Sequence, residues 1–291
     1  RSVEFGGRTR EERLVGSIGG IPQTSFNSDY PRLFNQYLLN DLSYPGIQNA
    51  LKNWDYVILS DRVSASEASA LRSLNPNIKI GRYMSPTSVY ESGNQSPFSY
   101  TRDYYNKVAS SNWWMHNTSG GIIITWPGSY NSLGTNFTSF APVDGSGQKF
   151  YDWFPQFVYD RILQGMDNDF ILADEIYSGY VWLEGSYGNG QIDVDNDGVA
   201  DDNAAVDSAT RSGLETLFTN LRNIMNAGGQ GNKIIVGNGV NIGSYYPQLF
   251  NGAMRETFPF LHGNLDSSPN PSGYHWKDNM FNSAYGYLAT E

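Results

Sequence analysis

The chain has 291 residues, 39% of them hydrophobic and 16% charged, with a formal net charge of −10. This length suits one large domain, and a single (β/α) barrel commonly takes about 250 residues. The acidic balance, without a basic stripe, argues against a nucleic-acid partner. The lack of cysteine excludes disulfides, thiol catalysis and cysteine metal sites. No apolar run reaches about 18 residues, so no membrane span is expected.

The first residues indicate an exported, processed chain. The sequence begins at Arg1 rather than at methionine and carries no signal peptide, which we interpret as the result of cleavage. We therefore expect an extracellular or secreted protein, with the periplasm or the cell surface as alternatives. Residues 1–14 hold seven charges and little apolar content. We predict an N-terminal arm over 1–27 and one barrel domain over 28–291.

Apolar runs separated by helix patterns predict a parallel sheet. In the first third we predict strands at 32–39, 56–61 and 78–84, a helix at 47–53, and a helix opened by the capping box of Ser64 and Glu67. Later we predict helices at 150–164 and 208–227, the start of another at 276–291, and strands at 170–174, 233–238 and 253–257. Near-continuous apolar strands with helices between them are typical of parallel α/β sheets.

Two insertions interrupt this alternation. Residues 86–150 are rich in serine, asparagine, glycine and aromatic residues, and residues 178–207 contain an aspartate-rich stretch. Both follow predicted strands, so they would lie on the carboxyl face of a barrel, where binding loops belong.

Six strand candidates are two fewer than a closed barrel needs. The predicted fold class is α/β, a (β/α)8 TIM-type barrel that is incomplete at its C-terminus. Residues 14–20 and a strand at 122–125 are candidates for the missing pair, and an open or altered sheet is the alternative. An open sheet exposes unpaired N–H and C=O groups, so we expect self-association or another polypeptide to cover that edge.

Acids stand at the ends of two predicted strands. Asp174 ends the fourth strand, Glu256 follows the sixth, and Asn238 ends the fifth between them. Two carboxyl groups facing one cleft are what glycosidic bond cleavage requires. The alternative is that these acids cap loops or bind a cation. Glu175 is the backup candidate, although strand alternation directs it away from the side that Asp174 faces.

Other polar and aromatic residues are candidates for sugar contacts. Asp61, Tyr83 and Asn238 lie at strand ends, with loop capping an equal alternative. Flat rings with a polar tip suit sugar faces. The aromatic candidates, for which core or interface packing is the alternative, are Trp113, Trp114, Trp126, Tyr177 and Trp182.

The second insertion contains half of a calcium-binding loop. Alternating aspartates followed by a glycine are typical of the first half of an EF-hand loop. The predicted ligands are the carboxylates of Asp193, Asp195 and Asp197 and the carbonyl of Val199, with Gly198 allowing the turn. The twelfth position is Ala204 rather than glutamate, so Asp201, Asp202 or Asp207 would have to close the site. We expect a structural Ca²⁺; a solvated acidic loop is the alternative.

The order of several motifs resembles a known family, glycosyl-hydrolase-like family 15, with a looser similarity to endo-polygalactosaminidases. The motifs are Trp54-Asp55-Tyr56-Val57-Ile58-Leu59, Asn77-Ile78-Lys79-Ile80-Gly81, Trp113 leading to Trp126-Pro127-Gly128, Asp169-Phe170-Ile171-Leu172-Ala173-Asp174 and Asn251-Gly252-Ala253-Met254-Arg255-Glu256. The resemblance covers roughly residues 30–285. It implies a TIM-type barrel and polysaccharide hydrolysis. It also implies that Asp174 is the nucleophile or base and that Glu256 is the general acid. The opposite assignment of the two roles remains open. The seventh and eighth strands of that pattern are not evident here.

The sequence therefore predicts a glycoside hydrolase-like protein whose partner is a polysaccharide or an oligosaccharide. Two alternatives remain open. One is a structural or assembly protein built on a glycosidase-like barrel, which the missing strands and the charged arm favour. The other is a carbohydrate-binding protein without catalysis.

Overall fold

The structure is a computed structural model, and it describes residues 34–38, 42–43, 45–239, 242–246 and 248–254. The predicted arm at 1–27, the strand candidate at 14–20, Glu256 and the predicted helix at 276–291 lie outside the described residues. Among the described residues, no helix is long and apolar enough to cross a membrane.

Six parallel strands form the main sheet, as the apolar runs predict. In spatial order they are β1 (Phe34–Tyr37), β2 (Tyr56–Leu59), β3 (Lys79–Met84), β8 (Phe170–Ala173), β10 (Ile234–Asn238) and β11 (Gly252–Met254). The spatial order follows the chain order of the six predicted strands, and each neighbouring pair is parallel. The α/β class and the sequential parallel order are thereby confirmed.

Helices connect these strands. They are α1 (Pro45–Leu51), α2 (Ala65–Leu74), α3 (Ser99–Ser110), α4 (Phe150–Val158), α5 (Asn203–Ala227) and α6 (Ile242–Tyr245), with short 3-10 turns at Gly93–Gln95 and Val181–Leu183. A π-helical turn over Tyr159–Gln164 continues α4. Pro155 lies inside α4 and has no N–H to donate. The side-chain amide of Asn220 on α5 donates to the carbonyl of Tyr151 at 3.0 Å, which gives that carbonyl a partner.

The capping-box prediction is confirmed at the start of α2. The Ser64 hydroxyl accepts from the Glu67 N–H at 3.2 Å, and the Glu67 carboxylate accepts from the Ser64 N–H at 2.9 Å. By contrast, α5 begins five residues before the predicted start. Asp202 is its N-cap, and its carboxylate accepts the N–H groups of Ala204 and Ala205.

The insertions carry two small antiparallel sheets. Strands β4 (Ser88–Tyr90), β7 (Ser132–Gly134) and β6 (Ile124–Trp126) form one, and β5 (His116–Asn117) pairs with β9 (Ile192–Asp193) in the other. The expectation that 122–125 supplies a strand of the main sheet is therefore wrong. This segment pairs with β7, only a few residues later in the chain, and such a local hairpin closes a much shorter loop than a parallel crossover.

The two faces of the main sheet bury different side chains. On one face, Val57 and Ile80 pack with α2, and Ile171 and Ile235 pack with α4 and α5. The other face presents the alternate positions, with Ile58, Phe170 and Leu172 at its centre and Tyr56, Leu38, Tyr83, Ile234, Val236 and Met254 around them. Because side chains alternate along a strand, Asp174 and Asn238 continue this second face at the carboxyl edge of the sheet.

Candidate active site

Asp174 lies at the carboxyl end of β8 and is held by three donors. The Tyr83 hydroxyl donates to its Oδ2 at 2.8 Å, and the Asn238 side-chain amide donates to its Oδ1 at 2.6 Å. The Glu175 N–H donates to the same Oδ1 at 2.8 Å. An ionised carboxylate only accepts hydrogen bonds, and this set of partners matches that form. The residue is only partly buried, so its carboxyl group lies at the open edge of the sheet.

Tyr83 and Asn238 position this carboxylate. Both were predicted to contact sugar hydroxyls from strand ends, and the structure places both beside Asp174. Burial, followed by the charge of Asp174, raises the pKa of Tyr83 well above its ordinary value. The tyrosine therefore stays a neutral donor. Tyr83 and Asn238 come from the two strands on either side of β8, so the carboxylate of Asp174 is fixed from both sides.

The carboxylate of Glu175 lies among three hydroxyl groups. Its φ of 59° takes the backbone out of the strand conformation. Its Oε2 accepts from the Ser85 and Thr87 hydroxyls, each at 3.0 Å, and from the Ser88 hydroxyl. These partners differ from those of Asp174. Burial is the main reason that the pKa of Glu175 is raised; the charge of Asp174 adds to this, while the hydroxyl donors oppose it. The Ser-Pro-Thr-Ser run after β3 is the sequence signal for this cluster.

The raised pKa of Glu175 predicts a pH-dependent contribution to stability. A carboxyl group that binds its proton more tightly in the folded state stabilises the protein fully below its unfolded value, near 4.5. That contribution is lost as the pH rises through the folded value. We therefore expect the difference in unfolding free energy between wild type and Glu175→Gln to shift against wild type from about pH 4.5 upward. Denaturant unfolding across a pH series measures this, with Glu215→Gln on the exposed face of α5 as the matched control. Parallel curves for wild type and Glu175→Gln would contradict it.

The other predicted contacts lie at different distances from this centre. The Asp61 carboxylate accepts from the Thr101 hydroxyl at 2.6 Å, so it ties α3 to the end of β2 as a loop-capping acid does. Tyr177 follows Asp174 by three residues and is partly buried. Trp126, on β6, leaves 54% of its surface exposed.

Trp113 and Trp114 are core residues, and their interpretation as sugar platforms is wrong. Both are buried. The indole N–H of Trp113 donates to the carbonyl of Pro142 at 2.7 Å, and its ring lies edge-on to Phe150 at 5.7 Å. A ring enclosed by other rings has no face left for a ligand.

The aspartate-rich loop brings three carboxylates together. One oxygen each of Asp193, Asp195 and Asp197 lies within 4.8 Å of the others. Asp193 is buried, and it accepts the N–H groups of Asp197 and Gly198 at 3.2 and 2.8 Å. Gly198 has a φ of 87°, which is the left-handed conformation that the predicted turn requires.

The other acidic residues that were predicted to close the site accept backbone N–H groups. Asp201 accepts the N–H of Val194 at 2.7 Å, and Asp202 caps α5. Asp207 accepts the N–H groups of Tyr180 and Val181 at 2.7 and 3.1 Å. The N–H of Val199 donates to Asp197 at 2.7 Å. Three carboxylates are therefore clustered, and a closing ligand from Asp202 or Asp207 would compete with these hydrogen bonds.

Comparison with known proteins identifies the family. Residues 72–270 match the sequence model of hypothetical glycosyl hydrolase family 15. The chain belongs to that family. The matched region contains Asp174, Asn238 and Glu256, whereas Asp61 precedes it. No curated protein matches the chain.

Solved glycoside hydrolases resemble the structure only loosely. A GH31 family sulfoquinovosidase from E. rectale matches with 11% identity and a TM-score of 0.44, covering 74% of this chain and 32% of that one. A glucosidase II alpha subunit matches with 13% identity and a TM-score of 0.46, covering 76% and 24%. A cycloalternan-degrading enzyme from Trueperella pyogenes matches with 10% identity and a TM-score of 0.42, covering 78% and 34%. The chain thus spans between 24% and 34% of their lengths, and these scores do not define a shared activity.

Proposed function

We propose that this member of hypothetical glycosyl hydrolase family 15 is a secreted glycoside hydrolase that cleaves a polysaccharide with a pair of carboxyl groups. The observation that carries the proposal is Asp174, a carboxylate held by Tyr83 and Asn238 at the carboxyl edge of a parallel sheet. Residues at this edge provide the active sites of parallel α/β enzymes. Family membership supplies the reaction class.

In this mechanism Asp174 is the ionised partner. It either attacks the anomeric carbon or activates a water molecule, while a protonated carboxyl group protonates the leaving oxygen. We propose Glu256 as that acid, because two residues before it β11 ends at Met254, which pairs in register with Asn238. The separation of the two carboxyl groups decides the configuration of the product at the anomeric carbon. A separation of about 5–5.5 Å gives retention, and one of about 6.5–9.5 Å gives inversion.

We also propose that the six-stranded sheet is part of a TIM-type barrel. The apolar face built around Phe170 and Leu172 would then be the barrel interior, with Asp174 above it. Closure needs further strands, from elsewhere in the chain or from a second copy that covers the open edge. The concentration dependence of the sedimentation coefficient tests whether a second copy of the chain covers that edge.

The experiment for the proposed activity is a screen of polysaccharides for newly formed reducing ends, with Asp174→Asn as the control protein. Release of reducing ends by wild type and not by the variant supports the proposal. Equal release by both would attribute the activity to a contaminant. Binding of a polysaccharide without cleavage by wild type would favour a carbohydrate-binding protein instead.

We propose that the loop at 193–199 binds Ca²⁺ and orders the insertion without taking part in the chemistry. Its support is the cluster of Asp193, Asp195 and Asp197 on the turn made by Gly198. Calcium prefers such hard oxygen ligands. When bound it would neutralise the repulsion among these acids.

Chelation is accordingly expected to lower the melting temperature. An ion that binds only the folded state stabilises it by about 2.7 kcal/mol at a hundredfold excess over Kd. Melting curves with and without chelator test this, and Asp195→Ala, which loses an exposed ligand, should no longer respond. Identical melting temperatures of wild type in both conditions would argue against a calcium site.

A further inference from the structure

Four aromatic side chains, one partly buried and three exposed, form a continuous strip whose first member lies three residues after Asp174 in the chain. In spatial order they are Tyr177, Trp182, Tyr187 and Trp126, and we call them the aromatic strip. Ring centroids of successive members are 5.3, 6.5 and 6.5 Å apart, each pair edge to face. Their exposed fractions are 42% for Trp182, 39% for Tyr187 and 54% for Trp126. Sequence reasoning did not single out Tyr187.

The first ring of the strip is carried by the segment that directly follows Asp174 in the chain. Tyr177 follows Asp174 by three residues, which span at most about 11 Å of extended chain. The carbonyl of Tyr177 accepts from the Tyr246 hydroxyl at 2.9 Å, which fixes its backbone. An open depression lies here, lined by Tyr177, Ser178, Gly179 and Trp182. A ligand in this depression would contact the first two rings of the strip while reaching toward the carboxylate.

Hydrogen bonds fix the backbone that carries the rings before any ligand binds. Trp182 lies in the 3-10 turn whose leading N–H groups are bonded to Asp207. The Asn189 side chain bonds both the N–H and the carbonyl of Ile124, at 2.7 and 2.8 Å. Asn189 thus joins the loop that carries Tyr187 to the strand that carries Trp126. Ordering of these backbone segments therefore adds little entropic cost to binding.

The shape and the charge of the strip indicate its ligand. A contiguous line of exposed rings marks a binding surface. It is a single file of rings, which suits a chain-like ligand better than the broad face of a protein partner. Tyrosine and tryptophan offer flat apolar faces with polar tips, the match for sugar rings that carry C–H faces and hydroxyls. The depression has no charged residue in its lining, and the net charge of −10 disfavours a polyanion.

We infer that the aromatic strip binds several consecutive sugar units of an uncharged polysaccharide on one side of Asp174. This rests on the proposed glycoside hydrolase function and makes it more specific. Four rings in line are longer than one sugar can cover, so the substrate is an extended chain rather than a mono- or disaccharide. The strip then positions this chain for cleavage within its length.

The first test is binding without cleavage. Affinity gel electrophoresis of Asp174→Asn against hydroxyethylcellulose, laminarin, mannan, dextran and alginate separates uncharged from anionic probes. We expect retardation by at least one uncharged probe. Adding Trp126→Ala or Trp182→Ala should weaken that retardation by about tenfold or more, as loss of a central aromatic contact does. Phe140→Ala is the matched control, since Phe140 is 52% exposed and lies outside the strip. Trp182→Phe, which keeps a ring, should restore most of the binding.

Several results would overturn the inference. They are retardation by alginate only, retardation by none of the probes, and equal weakening by Phe140→Ala. Circular dichroism of each variant checks that the substitution leaves the fold intact. If either Trp→Ala variant unfolds, the other one and Tyr187→Ala, which removes the third ring of the strip, carry the same comparison.

The second test separates the strip from the catalytic proposal. In the active protein, Trp126→Ala and Trp182→Ala should raise KM for the polysaccharide about tenfold, and they should lower kcat/KM for the polysaccharide by a much larger factor than kcat/KM for a single-sugar aryl glycoside. Equal losses of kcat/KM on both substrates would contradict the inferred role of the strip and would leave the proposed hydrolase activity standing. Strip-dependent retardation by a polysaccharide that wild type never cleaves would overturn the hydrolase and leave the strip as a binding surface.

Discussion

Asp174→Asn is expected to lower kcat/KM on the polysaccharide by about 10³-fold or more. The substitution keeps the shape of the side chain and removes the charge that would attack the anomeric carbon or activate water. Nucleophiles and general bases each contribute on this scale. The measurement is the initial rate of reducing-end formation, at enzyme concentrations high enough to detect a residual 10³-fold below wild type. Turnover of the variant within tenfold of wild type would remove Asp174 from the mechanism.

The fold should tolerate this change, because each neighbour of Asp174 can adapt. The new amide oxygen can accept from the Asn238 amide and from the Glu175 N–H, as Oδ1 of Asp174 does. The new amide nitrogen then faces the Tyr83 hydroxyl, which can rotate and accept instead of donating. A melting temperature close to that of wild type is therefore expected, and it separates lost chemistry from lost structure.

A companion set of variants distinguishes the possible roles of Asp174. Tyr83→Phe removes one donor but no charge, so its effect should be well below that of Asp174→Asn. Asp174→Gly opens space for a small anion. Recovery of activity with added azide, accompanied by a glycosyl azide product, identifies the displaced group as a nucleophile or base. The anomeric configuration of the product that wild type forms separates the two, because a nucleophile gives retention and a general base gives inversion.

Local signals made much of the fold predictable. The capping box of Ser64 and Glu67 is complete within four residues, and it formed as predicted. Apolar runs placed all six strands of the main sheet. The parallel order then brought Asp174 and Asn238, 64 residues apart in sequence, to 2.6 Å. That contact follows from pattern and topology alone, since neighbouring parallel strands end at the same edge.

Features that depend on tertiary packing were not predictable in this way. Trp113 and Trp126 belong to the same residue type and the same insertion, yet one is fully buried and the other exposed. Composition does not tell which face of a loop is covered. Asp202 illustrates a second cause, because an aspartate before a helix serves equally well as an N-cap or as a metal ligand. The cap formed because two backbone N–H groups at the start of α5 need an acceptor.

Glu256→Gln is the second variant expected to show a large loss, about 10²- to 10⁴-fold on the polysaccharide. Glu256 itself lies outside the described residues, and its assignment as the general acid rests on the family resemblance and on its place two residues after β11. A glutamine cannot donate a proton to the leaving oxygen. The loss should therefore depend on how much the leaving group needs that proton. Cleavage of an aryl glycoside with an acidic phenol should be nearly normal in its first step, because such a phenol departs unprotonated.

The leaving-group dependence is what separates an acid from a binding residue. For Glu256→Gln we expect kcat/KM to fall steeply as the pKa of the phenol rises, while the wild-type dependence stays shallow. The basic limb of the wild-type pH–rate profile, which reports loss of the acid proton, should also disappear in the variant. Asp174→Asn provides the contrast, since its loss should be large for every leaving group. If Glu256→Gln lowers kcat/KM by the same factor for all phenols and keeps the basic limb of the pH–rate profile, another carboxyl group is the general acid. Glu175, which follows Asp174 and has a raised pKa, would be the next residue to test.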